Sequence, residues 1–203
     1  MLIGAVFVRG QSFERQMEAE TGKLVAKHGT GTDRKLSRRL IAMAKLDQSV
    51  RAPEYVSGAV PAKLVKKQEN VDRQLTAEMK GIVARNGWPT IRLVGIEASG
   101  DAALILVHSP DRAFQRIMLP RLQQLSQDGE IVGSSIAAII DKLLIADGKP
   151  QRFGTQFKWA NGNAEMLPVE DAAGLEQRRA KYLLPPVAEY KRMLAELYKV
   201  NVK

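Results

Sequence analysis

Residues 91–107 constrain the fold most, because they are apolar on nearly every side of a helical wheel, with Glu97, Gly100 and Asp101 as interruptions. A helix of that kind is stable only when other elements surround it. The rest of the chain should therefore supply amphipathic partners, and several segments have the required period. Residues 33–47 place Leu36, Leu40, Met43 and Ala44 on one face, with Arg34, Lys35, Arg38 and Arg39 opposite. Residues 62–85 carry Leu64, Val71, Leu75, Met79, Ile82 and Val83 as a stripe, stopped by Asn86-Gly87 and the turn at Trp88-Pro89. After His108, the run Ser109-Pro110-Asp111 reads as a helix start, with Ser109 as N-cap and Pro110 in the first helical position. Phe114, Ile117, Met118, Leu122 and Leu125 form the buried face of that helix; Pro120 should kink it and Gly129 closes it. Residues 130–146 form another, on Ile136, Ile139, Ile140, Leu143 and Leu144.

The pattern changes near residue 150. Lys149 to Trp159 and Asn163 to Leu167, joined at Asn161-Gly162, read as a β-hairpin with a type I′ turn. Glu170 to Lys181 is a charged helix, Pro185-Pro186 interrupts it, and Val187, Tyr190, Leu194, Leu197 and Tyr198 mark a final amphipathic helix. At the other end, residues 11–27 are polar, with Phe13, Met17, Leu24 and Val25 loosely at helical spacing, and Gly29-Thr30-Gly31-Thr32 breaks the segment. Pro53, Gly58 and Pro61 mark a loop. The expected class is mainly α (α+β): a compact helical domain over residues 33–203 with one small β-hairpin near residues 150–168, preceded by an arm or surface helix over 1–32. The strand–helix alternation of a doubly wound sheet is missing.

Charge is unevenly spread. Of a net +9, residues 1–85 hold 16 Lys/Arg against 9 Asp/Glu, so the basic surplus lies mostly in the N-terminal part. Such a face attracts acidic partners, or it is a solvated helical surface. Few aromatics accompany it and no nucleic-acid module is recognisable, which disfavours nucleic acid as the partner. With no cysteine, the chain has no disulfide, zinc–thiolate, iron–sulfur or cysteine-nucleophile chemistry of its own. Only two histidines occur, so a multi-histidine metal site cannot form within the chain, and no metal or cofactor is expected. The apolar run Met1 to Val8 is too short to span a membrane and lacks the basic start and cleavage site of a signal peptide. It reads as a strand or helix start, or as the remnant of a trimmed leader. Compartment stays open, with the cytoplasm favoured and an exported form as the alternative.

Glycine-rich phosphate loops, zinc-protease pairs and serine elbows are missing. The candidates for chemistry are fewer. His108 falls where the apolar helix gives way to the next, with an apolar floor and a polar exit that suit a proton-transfer group. The alternative is a histidine that caps its own helix. Asp111 and Gln115, at i and i+4, share a face next to it; Asp111 would orient the imidazole or answer the helix dipole. Asp141 has Ala137, Ala138, Leu144 and Ile145 as helical neighbours, and a carboxylate there is costly unless paired. It is an acid, base or ligand, or else a buried anchor for the hairpin. Gln151, Thr155 and Gln156 offer amides and a hydroxyl for orientation, and Gly154 suits close approach by a backbone or ligand.

These residues, with Met43-Ala44-Lys45-Leu46-Asp47-Gln48-Ser49-Val50-Arg51, Gly87-Trp88-Pro89-Thr90 and Arg178-Arg179, resemble the signature of a bacterial domain-of-unknown-function family. Its pattern runs DQ-x-x-R, GWPT, a helix-terminal His, DR, then pQ-x-YGTQ, and the resemblance covers residues 36–192. The family brings no activity to transfer. The resemblance implies that His108, Asp141, Gln151, Thr155 and Gln156 belong to one constellation, and it adds Asp47, Arg51 and Trp88 as candidate substrate-binding residues. The chain departs from the pattern at Lys142, where Arg is expected, and at Phe153, where Tyr is expected. Lysine keeps the charge but not the forked geometry of arginine.

Two functional readings follow. The first is an acid–base, hydrolase-like enzyme on a small molecule or peptide. In it His108, Asp141 and Asp111 are catalytic, and Gln115, Gln151, Thr155, Gln156, Trp88, Asp47 and Arg51 hold the substrate. The second is a non-catalytic module that engages an acidic protein partner through the basic N-terminal face.

Overall fold

The computed structural model describes residues 3–51, 61–160 and 162–203, with side chains from Phe13 onward. The loop expected at Pro53 and Gly58 lies outside the described residues, as do Met1, Leu2 and Asn161 of the hairpin turn.

Helix α1 (Ile3–His28) ends at Gly29, and the chain turns through Gly31 into α2 (Arg34–Ser49). Asp33 caps α2, its carboxylate accepting the Leu36 amide at 2.9 Å. The stripe Leu40, Met43 and Ala44 is buried as its spacing requires. The same holds for Leu75, Met79 and Ile82 on α3 (Ala62–Asn86).

The apolar stretch is not one helix. It divides at Gly95 into α4 (Ile91–Val94) and α5 (Ile96–His108). Gly95 has φ +82, and a Cβ there would come within 2.7 Å of the Thr30 carbonyl oxygen. Thr32 and Asp33 also donate to the Leu93 carbonyl at 2.9 and 2.8 Å. The α1–α2 turn is thus pressed against the break, and only glycine fits it. Helix α5 is nonetheless the centre of the core. It packs on α2, α3, α4 and on α7 (Ser134–Ala146), and Ala98, Ala102, Ile105 and Leu106 are buried. Between them, α6 (Arg112–Gln127) packs on α7 and buries Leu122 and Leu125.

Several helix starts differ from expectation, that of α8 (Leu175–Lys181) among them, at Leu175 rather than Glu170. Asp111, not Ser109, caps α6, taking the Phe114 amide at 2.8 Å. Ser109 is buried instead, its hydroxyl bonded to that of Thr76 at 3.0 Å and to the Asp111 amide at 3.1 Å. Helix α7 begins at Ser134 rather than 130. The N-terminal helix is tied down at its end, where the buried His28 Nε2 donates to the Gly129 carbonyl at 2.8 Å.

The hairpin is shorter than its sequence suggests. Strands β1 (Phe157–Ala160) and β2 (Asn163–Met166) pair antiparallel, Phe157 opposite Met166. Residues 149–156 are not strand; Gln151 makes only an isolated bridge to Val169. A third strand, β3 (Asn201–Val202), pairs parallel to β2 and was not expected. Helices α8 (Leu175–Lys181) and α9 (Val187–Tyr198) complete the chain. Phe157, Ala164 and Leu194 form a second small core, with Trp159, Tyr190 and Tyr198 packed on it. Mainly helical with a small sheet, the fold has the expected class. No described helix is long and apolar enough to cross a membrane.

Candidate functional site

Asp47 follows Leu40 and Met43 on the inward face of α2, so the helix carries a carboxylate into the core. Only 1% of its side chain is exposed. Burial of that kind demands partners, and three side chains supply them. His108, at the end of α5, brings Nδ1 to 2.9 Å from Oδ2 and 3.0 Å from Oδ1. Arg51, one turn on from Asp47, donates Nε at 3.0 Å and Nη2 at 2.7 Å. Gln48 adds its amide at 2.7 Å. Arg51 Nη2 also reaches Asp72 on α3 at 2.6 Å. Burial alone would raise the Asp47 pKa, but hydrogen bonds and charge from His108 and Arg51 outweigh it and hold the carboxyl at about 2.

An ionised Asp47 accepts from Nδ1–H and so fixes the imidazole tautomer and orientation, leaving Nε2 outside that bond. The His108 side chain is 23% exposed, and Nε2 has no protein partner among the described residues. Two other side chains hold this end of α5. The fully buried Gln115 donates its amide to the carbonyls of Leu106, Val107 and Ser109, around the end of α5. Lys142, on α7, donates to the Val107 carbonyl at 2.6 Å.

Asp141, the residue before Lys142, faces another way. It is fully buried, and its Oδ1 accepts the amides of Arg152 and Phe153 at 2.7 and 2.9 Å. Oδ2 accepts the amide and hydroxyl of Thr155 at 2.9 and 2.8 Å. Gln151 is saturated too: its amide donates to the carbonyls of Gln156 and Leu167, and its oxygen accepts the Gln156 amide. Gln156 in turn donates to Thr155 Oγ1 at 3.0 Å. The buried Arg179 donates to the carbonyls of Phe153 and Pro185 and stacks on Tyr190. Four donors on one carboxylate curl residues 151–156 into a loop, which is why this stretch is not a strand.

The expected constellation therefore divides. Asp47, Arg51 and His108 meet, with Asp72 and Lys142 beside them. Asp141, Gln151, Thr155 and Gln156 meet around the loop, with every oxygen of Asp141 engaged by the protein. Asp111 is the α6 cap and pairs with Lys80, so it does not orient His108. Gln115 positions the backbone before His108. Trp88 is 5% exposed in the core, with Nε1 unpartnered among the described residues. Asp72 and the role of Asp47 as the imidazole's partner had no signal of their own in sequence. Asp47 did carry one in its place on the Leu40–Met43 stripe.

A family model matches residues 34–203, most of the chain. The chain belongs to DUF6624, a family of unknown function. No curated protein and no solved structure matches it. The DUF6624 match begins at the first residue of α2 and so takes in both the Asp47–His108 cluster and the Asp141 loop. Among the described residues of this DUF6624 chain, no group of three or more His, Asp or Glu is placed to hold a metal ion.

Proposed function

We propose that the protein is an acid–base enzyme, hydrolase-like, acting on a small molecule or peptide, with His108 as the proton-transfer group and Asp47 as its positioning residue. The observation that carries the reading is the His108 ring itself, held through Nδ1 on a buried carboxylate while the side chain stays partly exposed. That pairing is how an imidazole is prepared to take a proton and give it back. The nearby Ser109 hydroxyl is buried and engaged by Thr76 and the Asp111 amide, so it is not the nucleophile. Nε2 instead draws a proton from water or from the substrate.

The test is turnover of a panel of activated esters, phosphoesters and peptides by the parent and by His108→Gln. Loss of a positioned acid–base group costs about 10²–10⁴ in rate. A variant that turns over every substrate at the parent rate would remove the reading.

A second reading rests on Arg34, Lys35 and Arg38, which are exposed on α2 and make no ion pair among the described residues. Here the basic face binds an acidic protein and His108 is structural. Binding to such a partner would fall steeply with salt, whereas hydrolysis at His108 would not.

A further inference from the structure

Lys142 is partly buried, and among the described residues its Nζ makes one hydrogen bond, to the Val107 carbonyl beside His108. An ammonium has three donors, so two remain. The charges that act on it are Arg112, Arg51, Asp72 and Asp47. Both carboxylates are already held, Asp47 by His108 and Arg51, Asp72 by Arg51. Arg112, at the first position of α6, bonds among the described residues only the neutral amide oxygen of Gln115, at 2.8 Å. Among the described residues neither Lys142 nor Arg112 has an ion-pair partner. Arg51 is matched by the two carboxylates, and the two unmatched cations are joined through Gln115, which accepts from Arg112 and shares the Val107 carbonyl with Lys142. Burial and the two guanidinium groups lower the Lys142 pKa to about 8, the cost of holding an ammonium there without a counter-ion.

We infer that the spare donors of Lys142 and the Arg112 guanidinium bind an oxyanion, the phosphate or carboxylate head of the molecule on which His108 acts. This rests on the His108 reading given above and names its substrate class. Lysine serves as a compact point charge and arginine as a fork, a pairing suited to an oxyanion head. The anion would sit beside the end of α5, one residue from the imidazole, and would match the charge the protein leaves uncovered.

The test is an NMR titration of the full chain with inorganic phosphate and, separately, with acetate, at fixed ionic strength. Amide shifts at residues 107–112 and 142 report the site. Saturating shifts with at least one anion are expected, weakened about tenfold, or 1.4 kcal/mol, in Lys142→Met and in Arg112→Gln. His108→Gln should bind within a factor of about three of the parent, because it removes no donor to the anion. Saturation by phosphate alone assigns a phosphoryl head, and by acetate alone a carboxylate. The inference is overturned if neither anion shifts these amides up to about 50 mM, or if both variants bind like the parent. Arg112 is exposed, so Arg112→Gln carries the test even if Lys142→Met folds poorly. Turnover without anion binding would remove this inference and leave the His108 reading; anion binding without turnover would do the reverse.

Discussion

Asp47 and His108 stand 61 positions apart in the chain and meet at 2.9 Å, where the ends of α2 and α5 come together. The bond joins a nearly inaccessible carboxylate to a ring that solvent can reach, so the two residues answer differently to substitution.

Asp47→Asn should be strongly destabilising. It leaves Arg51 short of a charge and places an amide where an imidazole, a guanidinium and an amide donor converge. Removing one member of a buried ion pair costs about 3 kcal/mol. His108→Gln, at the exposed end of the same bond, should cost about 1 kcal/mol or less. Urea denaturation of both variants checks this. Equal losses would mean that Asp47 is not the fixed point of the cluster.

Asp141→Ala leaves three amides and a hydroxyl without their acceptor. A loss on the order of 4 kcal/mol is expected, with Asp141→Asn intermediate because one oxygen is kept. A change below about 1 kcal/mol in the alanine variant would show that water replaces the carboxylate freely.

Asp101 sets an acid-side pH dependence. Burial first, then the neighbouring Glu97, push its carboxyl up to about 6, against partial relief from Lys45. The folded state therefore holds this proton after the unfolded chain has released its own at about 4. Between those values stability falls as pH rises. Asp47 works the other way: its contribution is present above about pH 4 and is lost as pH falls toward 2. Thermal melts of the parent and Asp101→Asn from pH 4 to 7 should show the parent losing ground and the variant holding level. Parallel curves would refute the assignment.

Much of the helical frame was legible. Leu40, Met43, Leu75 and Met79 recur at helical spacing and are buried for that reason. The break at Gly95 was not, because the apolar run continues on both sides of it and the need for glycine comes from Thr30, far off in sequence. Strand β3 is two residues long, too short to leave a pattern. At the site, Asp141 was recognisable as a carboxylate among apolar neighbours, and its partners decide between the two roles left open. The meeting of Asp47 and His108 had no local trace, since it depends on how two helices cross. Asp47 falls four residues after Met43, so the stripe rule that flagged Asp141 would have flagged it as well.

The loop at residues 151–156 has almost no strand pairing, yet three of its amide hydrogens point at one sealed carboxylate. Loops of ordinary make-up exchange those hydrogens with solvent quickly, one residue at a time. Here none can be freed without loosening its neighbours, because all share the oxygens of Asp141. The segment should behave as a latch on α7, with the amide hydrogens of Arg152, Phe153 and Thr155 exchanging together through a single opening event.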